Sequence, residues 1–457
     1  MRALLRSHFR FFLLAALAGL ALRLVFLFFA PAITIDSFVY GDIAKNWLRH
    51  GIYGVRDGAQ IVPTYIRLPG YPAFLALIFS IFGMEHYRAV LVIQIFVDLA
   101  SCFLIANIAR RLLSDRAAKA AFLLAALCPF LANYAAAALT ETLEIFFTVL
   151  ALDLAIRGLK DWHDRRLLPW FGCGLAVASA ILLRPDGGLL LMAIAGYLGV
   201  MVAVSFIRKS PSATLYFLQA GLVLVSVSLA PLLPWSLRNL HTLHRFEPLA
   251  PRYANAPDEF VPLGFERWVR TWMADYASVE EIYWAVPDNT IDASKLPSRA
   301  FDSEAQHTET GQLLADYNNI LHVSPDLDIR FAKIAADRIR LSPARYYLWL
   351  PIVRIADMWL RPRTEMLPSD SRWWEFDDDP KRSALAVGLG VVNLIYVAAA
   401  FAGLARAPSF PLLGLLLLFV LLRSAFLGTL ENPETRYTLE CYPVVILFTS
   451  RIFARRS

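Results

Sequence analysis

The sequence predicts an all-α integral membrane protein: a bundle of about ten transmembrane helices, with interfacial helices in its first outer loop and a mostly helical extracytoplasmic domain. Three observations lead there. Apolar residues make up 58% of the 457-residue chain against 18% charged, with a mean hydropathy of +0.51, which is too apolar for a soluble chain of this size. They fall in long uncharged runs, and about 20 apolar residues are what crosses roughly 30 Å of hydrocarbon. The Lys and Arg residues behind the formal charge of +6 stand beside the ends of those runs. That placement reports membrane orientation and removes nucleic acid as the reason for the basic balance.

The first run, Phe11 to Ala30, follows Arg2, Arg6 and Arg10 and carries Arg23 inside it. With no small-x-small cleavage site before Pro31, it reads as a retained helix rather than a signal peptide. Further apolar segments run from Tyr87 to Ala109, Ala117 to Tyr134, Leu139 to Ile156, Leu167 to Leu183, Gly187 to Phe206 and Leu215 to Leu233. Three late ones run from Ser383 to Leu404, Ser409 to Leu427 and Tyr437 to Ile452. "LPGYPAFLALIFSIFG", Leu68 to Gly83, is short for a span and opens with two prolines. As a re-entrant or interfacial hairpin it leaves the clusters at Arg110/Arg111, Arg157/Lys160, Arg208/Lys209, Arg406 and Arg455/Arg456 all on the side of the N-terminus. Both termini are then expected in the cytoplasm.

The chain accordingly divides into a transmembrane module over residues 1–237, whose first outer loop is 31–86, a hydrophilic region over 238–382 and C-terminal helices over 383–457. The hydrophilic region holds 23 of the 38 acidic residues, so it must face outward. Within it "DSEAQHTETGQLLADYNNIL" and "DLDIRFAKIAADRIRL" read as helices. Residues 344–360, "ARYYLWLPIVRIADMWL", hold Arg354 and Asp357 and are expected to lie on the membrane surface. Cys102, Cys128, Cys173 and Cys441 lie in apolar runs without CxxC or Cys/His spacing, which gives neither a disulfide framework nor a zinc site.

Candidate chemistry begins with "ITIDSFVYGDIAKNWLRHGIYG", Ile33 to Gly54. Val39, Ile43 and Trp47, and likewise Tyr40, Ala44 and Leu48, recur every four residues and form the apolar face of an interfacial helix that Gly51 ends. Asp36 stands at its N-terminus, either as a cap or as a base whose ionised form the helix dipole favours. Asp42 and Tyr40 on the same helix are candidate substrate contacts. Arg67 in "RLPGYP", Glu141 and Glu144 in "LTETLE", Arg184 in "LLRPDGG", and Glu434, Arg436 and Tyr437 in "ENPETRYTLECYP" return to the same outer face. Carboxylates beside guanidinium groups suit work on a phosphate-bearing lipid: the guanidinium grips the phosphate, with Arg67, Arg184 and Arg436 as the candidates, and a carboxylate takes a hydroxyl proton. Plainer readings stand beside these. Arg67 and Arg436 are interfacial anchors, or Glu141 caps its helix with Thr140. Arg23 and Asp98 are expected to pair within the membrane, Asp377 to Asp379 to form a solvated turn, and Trp268 and Trp272 to lie in a core.

An Arg inside the first helix, an Asp just beyond it, a loop helix ending in "GIYG", then "RLPGYPAFLALIFSIFG", "LTETLEIFF", "LLRP" and a late "PETRY" resemble, in that order, the GT-C superfamily of polytopic glycosyltransferases. Within it the chain looks most like the bacterial branch related to protein O-mannosyltransferases and lipid A aminoarabinose transferases. The resemblance implies a polyprenyl-phosphate-linked sugar donor and a lipid, glycan or protein acceptor. It also implies chemistry at the periplasmic or exterior face of the bacterial cytoplasmic (inner) membrane. Asp36 falls where relatives place the base, and Arg67 where they place a basic residue that would hold the donor phosphate. Many relatives have a second acidic residue directly after the base, where this chain has Ser37. The outer-face carboxylates are then the candidates for a divalent cation, Mg²⁺ or Mn²⁺, and no ligand spacing demands one. The rival reading, a transporter or flippase of lipid-linked saccharides, needs a polar path through the bilayer, for which the spans offer only Arg23, Asp98 and Asp153.

Overall fold

The computed structural model describes residues 1–369, 371–376, 379–406 and 412–454. The acidic residues Asp377 and Asp378, the cationic pair Arg455/Arg456 and the start of the span expected at Ser409 lie outside the described residues. The chain forms two compact units, one of Met1–Asp258, Ala398–Val420 and Leu439–Ser457, the other of Glu259–Val397 and Leu421–Thr438.

In the first unit α1 (Arg2–Ser7) leads into α2 (Phe9–Phe29), the expected first span, and α3 (Ile35–His50) is the expected loop helix. A two-stranded antiparallel hairpin follows, β1 (Gly54–Asp57) paired to β2 (Gln60–Pro63) in the register Gly54 to Pro63. The helical reading of the loop did not include it, although Asp57-Gly58 is a hairpin-turn dipeptide and Gly58 takes the positive φ of 56° that such a turn requires. Next come α4 (Gly70–Phe82), α5 (Tyr87–Leu112), α6 (Asp115–Ala126), α7 (Pro129–Ala135), α8 (Glu141–Lys160), α9 (Leu168–Leu183), α10 (Gly188–Ile207), α11 (Pro211–Leu229) and α12 (Leu232–Leu243). The four cysteines are free and buried, as expected of structural thiols in apolar runs.

Two expected spans prove to be broken. The run Ala117 to Tyr134 is α6 and α7, bent by 52°, because Pro129 has no N–H to continue the first ladder and is well placed only to start the second. The run from Tyr437 opens as a 3₁₀ segment, Thr435–Cys441, and becomes α-helical only over α20 (Tyr442–Ser450), with Pro443 in its first turn. Helix also continues past residue 237, where the hydrophilic region was expected to begin, to Leu243. Among the described residues five helices are long and apolar enough to cross a membrane, or six if the bent pair counts as one, against the ten expected. The difference lies in short helices such as α9, of 16 residues, and α19 (Leu413–Gly428), also 16.

Inside the membrane part Arg23 and Asp98 do pair, Nε to Oδ2 at 2.6 Å, and Arg23 also donates to the carbonyls of Gly19 at 2.8 Å and Ala126 at 2.6 Å. A charge this deep persists because each of its donors has an acceptor. Between α2 and α3 the chain runs parallel to the segment before α8: the Ala32 amide donates to Ala136 O at 3.0 Å and the Ala138 amide to Ala32 O at 2.9 Å. That bridge brings the entrance of α3 beside the lead into α8.

The second unit holds α13 (Leu263–Arg270), α14 (Tyr276–Ser278), α15 (Glu304–Ile320), α16 (Pro325–Leu341) and α17 (Leu350–Leu360), and α18 (Pro380–Ala405) and α19 each supply residues to both units. The two helices read from "DSEAQHTETGQLLADYNNIL" and "DLDIRFAKIAADRIRL" are α15 and α16. Ser303 and Ser324 cap them, accepting from the amides of Gln306 at 3.2 Å and Leu327 at 3.3 Å. Trp268 and Trp272 are fully buried against Phe331, Leu313 and Tyr317, so the core reading of both tryptophans holds.

Candidate active site

The helix that carries the candidate base starts two residues earlier than its carboxylate suggested. Thr34 is the N-cap, its amide accepted by Ser37 Oγ at 3.0 Å, so Asp36 lies in the first turn and is not the cap. Gly51 ends the helix in the left-handed region at φ 68°, as its position indicated. The buried face is Tyr40, Ile43 and Ala44, while Trp47 and Leu48 at the far end are exposed at 39% each.

Asp36 Oδ1 accepts from Arg67 Nη2 at 2.8 Å, with side-chain exposures of 35% and 21%. The guanidinium lies 5.5 Å from the centre of the Tyr40 ring, which stacks edge-on against Tyr71 of α4. Burial raises the Tyr40 phenol to about 12, Asp36 and Glu141 add to the shift, and Arg67 and Arg184 oppose it. Tyr40 therefore keeps its proton at neutral pH and is a hydrogen-bond donor, and its surroundings contain both candidate arginines of this unit.

Arg184 follows α9 and stands among carboxylates: Nε is 3.2 Å from Asp186 Oδ1 and 3.5 Å from Glu144 Oε1, and Nη1 is 3.6 Å from Glu141 Oε1. Glu141 and Glu144 are buried at the start of α8, and Glu440, also buried, stands beside Glu144. Asp186 and Glu440 went unnoticed in the sequence, where nothing but their nearness to "LLRP" and "PETRY" points to them. The close approach of α4 to the end of α9 depends on Gly70: a Cβ there would lie 2.6 Å from the Leu182 carbonyl oxygen. Asp42 is held differently from Asp36. Its Oδ2 accepts the Arg56 amide at 2.6 Å and Asn46 Nδ2 at 3.1 Å, so it fastens β1 to α3.

Glu434, Arg436 and Tyr437 belong to the second unit, where they form a group of their own. Glu434 Oε2 is 2.6 Å from Arg436 Nε, Glu434 Oε1 accepts from Tyr437 Oη at 2.6 Å, and Arg436 lies 5.3 Å from the Tyr437 ring centre. Among the described residues no group of three or more His, Cys, Asp or Glu side chains is arranged to hold a metal ion. Glu141, Glu144 and Asp186 of the first unit already face the Arg184 cation.

Residues 63–235 match the family described as dolichyl-phosphate-mannose-protein mannosyltransferase. No curated protein matches the chain by sequence. Two solved structures of similar fold are of the Archaeoglobus fulgidus oligosaccharyltransferase. One is AglB in complex with an inhibitory peptide and a dolichol-phosphate, at 12% identity and TM-score 0.50 over 98% of this chain and 50% of that one. The other is tethered to an acceptor peptide, at 14% identity and TM-score 0.50 over 97% of this chain and 49% of that one. ArnT from Cupriavidus metallidurans bound to undecaprenyl phosphate matches at 15% identity and TM-score 0.42, over 96% of this chain and 77% of that one. The chain spans about half the length of the oligosaccharyltransferase structures it matches. With its apolar helices, its loop helix and the match over 63–235, the chain is a membrane protein whose fold is similar to that of the oligosaccharyltransferase structures.

Proposed function

We propose that this chain is a membrane glycosyltransferase that moves a sugar from a polyprenyl-phosphate-linked donor to a hydroxyl of a lipid, glycan or protein acceptor. The site faces the periplasm or exterior of a bacterial cytoplasmic membrane, with both termini in the cytoplasm. The observation that carries the reading is the Asp36–Arg67 pair at 2.8 Å beside the Tyr40 phenol, a base, a phosphate-gripping cation and a proton donor on one loop. A structure of similar fold in complex with dolichol-phosphate supports a lipid phosphate as the leaving group.

In the resting pair the Arg67 guanidinium occupies Asp36 Oδ1. Donor phosphate draws the fork of Arg67 to itself and opens that oxygen to the acceptor hydroxyl, so the donor binds first. The acceptor oxygen then attacks the anomeric carbon while its proton passes to Asp36. The bond from carbon to phosphate oxygen breaks, and its electron pair departs on the polyprenyl phosphate. Arg67, with Arg184 of the same unit, neutralises the charge that grows there. One displacement inverts the anomeric centre.

The test is sugar transfer by purified protein in detergent, where a flippase has no sealed bilayer to work across. Asp36→Asn is expected to lower turnover by about 10² to 10⁴ with folding intact. Unchanged turnover in that variant rejects the assignment.

A further inference from the structure

Arg238 of α12 touches none of the candidate reacting groups, yet its whole side chain is committed to the loop that carries Arg67. Its Nη1 donates to Thr64 O at 2.7 Å and its Nη2 to Tyr53 O at 2.5 Å, the two residues that flank the β1–β2 hairpin. The Thr64 amide donates to the same Tyr53 carbonyl at 3.0 Å, so Arg238 closes the open end of the hairpin from outside. The guanidinium lies over two aromatic rings that themselves pack edge-on, 5.2 Å from the centre of Tyr53 and 5.4 Å from that of Trp235. Arg238 Nη1 also donates to Asn239 Oδ1 at 2.9 Å, and Asn239 Nδ2 donates to Glu247 O at 2.8 Å, which anchors the clamp to the chain beyond α12.

The clamp reaches the candidate site through one hydroxyl. Tyr53 Oη donates to the main-chain carbonyl of Arg67 at 2.9 Å, and the Arg67 guanidinium in turn holds Asp36. Tyr53 is buried in a cluster with Ile43, Tyr65, Leu68 and Trp235, so the hydroxyl has little room to choose another acceptor. We infer that Arg238 is a positioning residue for Arg67: through the rigid Tyr53 ring it sets where the guanidinium stands when a lipid phosphate arrives. Lysine cannot replace it, since one ammonium group cannot serve both carbonyls with the planar fork that also covers two rings.

This inference rests on the transfer reading above, and two measurements separate the failure of either. Hydrogen exchange on the full-length protein in detergent needs no substrate. Arg238→Gln is expected to speed exchange of the Thr64 amide and its neighbours over residues 53–67 while the amides of α5 and α8 keep their protection. Unchanged exchange there would overturn the clamp whatever the protein catalyses. Tyr53→Phe keeps the ring and the clamp but removes the hydroxyl, and is expected to raise the donor KM roughly five- to tenfold with kcat nearly unchanged and exchange over 53–67 as in the parent. Arg238→Lys is expected to show both effects partially. If Tyr53→Phe leaves the donor KM unaltered while Asp36→Asn abolishes transfer, the relay to Arg67 is wrong and the transfer reading stands. If Asp36→Asn transfers normally, the transfer reading falls with the functional half of this inference, and the exchange result still decides the clamp.

Discussion

Two aspartates six residues apart on one helix illustrate how much the partner decides at the scale of the residue. Asp36 meets a guanidinium with a third of its side chain open to solvent, while Asp42 is tied down by the Arg56 amide and Asn46. In the proposed reaction the first is the one whose guanidinium partner a substrate phosphate draws away. Arg67 is the group that makes that exchange useful, and its value lies in a planar fork rather than in charge alone. Arg67→Lys is expected to raise the donor KM about 10- to 100-fold, the loss expected for charge-assisted hydrogen bonds, with a smaller effect on acceptor KM. Equal effects on both substrates would place Arg67 away from the phosphate.

At the scale of the element the site depends on close backbone approaches. The turn bearing Arg67 is held against the end of α9 at Gly70, where an added methyl meets the Leu182 carbonyl, a main-chain atom that cannot swing aside. Gly70→Ala is expected to cost about 1 to 3 kcal/mol, as overpacking does, and to separate the turn from the end of α9. Thermal unfolding in detergent checks the first effect and donor KM the second. The break at Pro129 acts in the same spirit: by ending α6 early it frees the following residues to run beside Ala32, which α-helical geometry would forbid.

Two expectations belong to the whole molecule. In the second unit, burial raises the Asp357 carboxyl to about 7 against the pull of Arg361. A carboxyl whose folded value lies above its ordinary 3.8 favours the folded state while protonated, and that contribution fades as the pH climbs. The unfolding midpoint is therefore expected to fall between about pH 4 and pH 7 relative to Asp357→Asn, in which that slope is absent. Orientation is tested by single cysteines on a background lacking the four buried thiols. A cysteine at Gly58 is expected to react with an impermeant reagent from outside intact cells, and one at His163 only after permeabilisation.

Patterning was enough to establish a helical membrane protein, the first span, the loop helix with its Gly51 stop, the Arg23–Asp98 pair and a motif order that resembles the GT-C superfamily. Those features are local, or follow from the cost of leaving polar groups in hydrocarbon, so periodicity and charge express them directly. What remained hidden depends on residues far apart in the chain. The parallel bridge of Ala32 to Ala137, the carboxylates Asp186 and Glu440 around Arg184 and Glu144, and the hold of Arg238 on a hairpin nearly two hundred residues earlier leave no periodic trace. Hydrophobicity dictates that a segment crosses or lies on the membrane, but which polar groups then face one another is decided only when the helices pack.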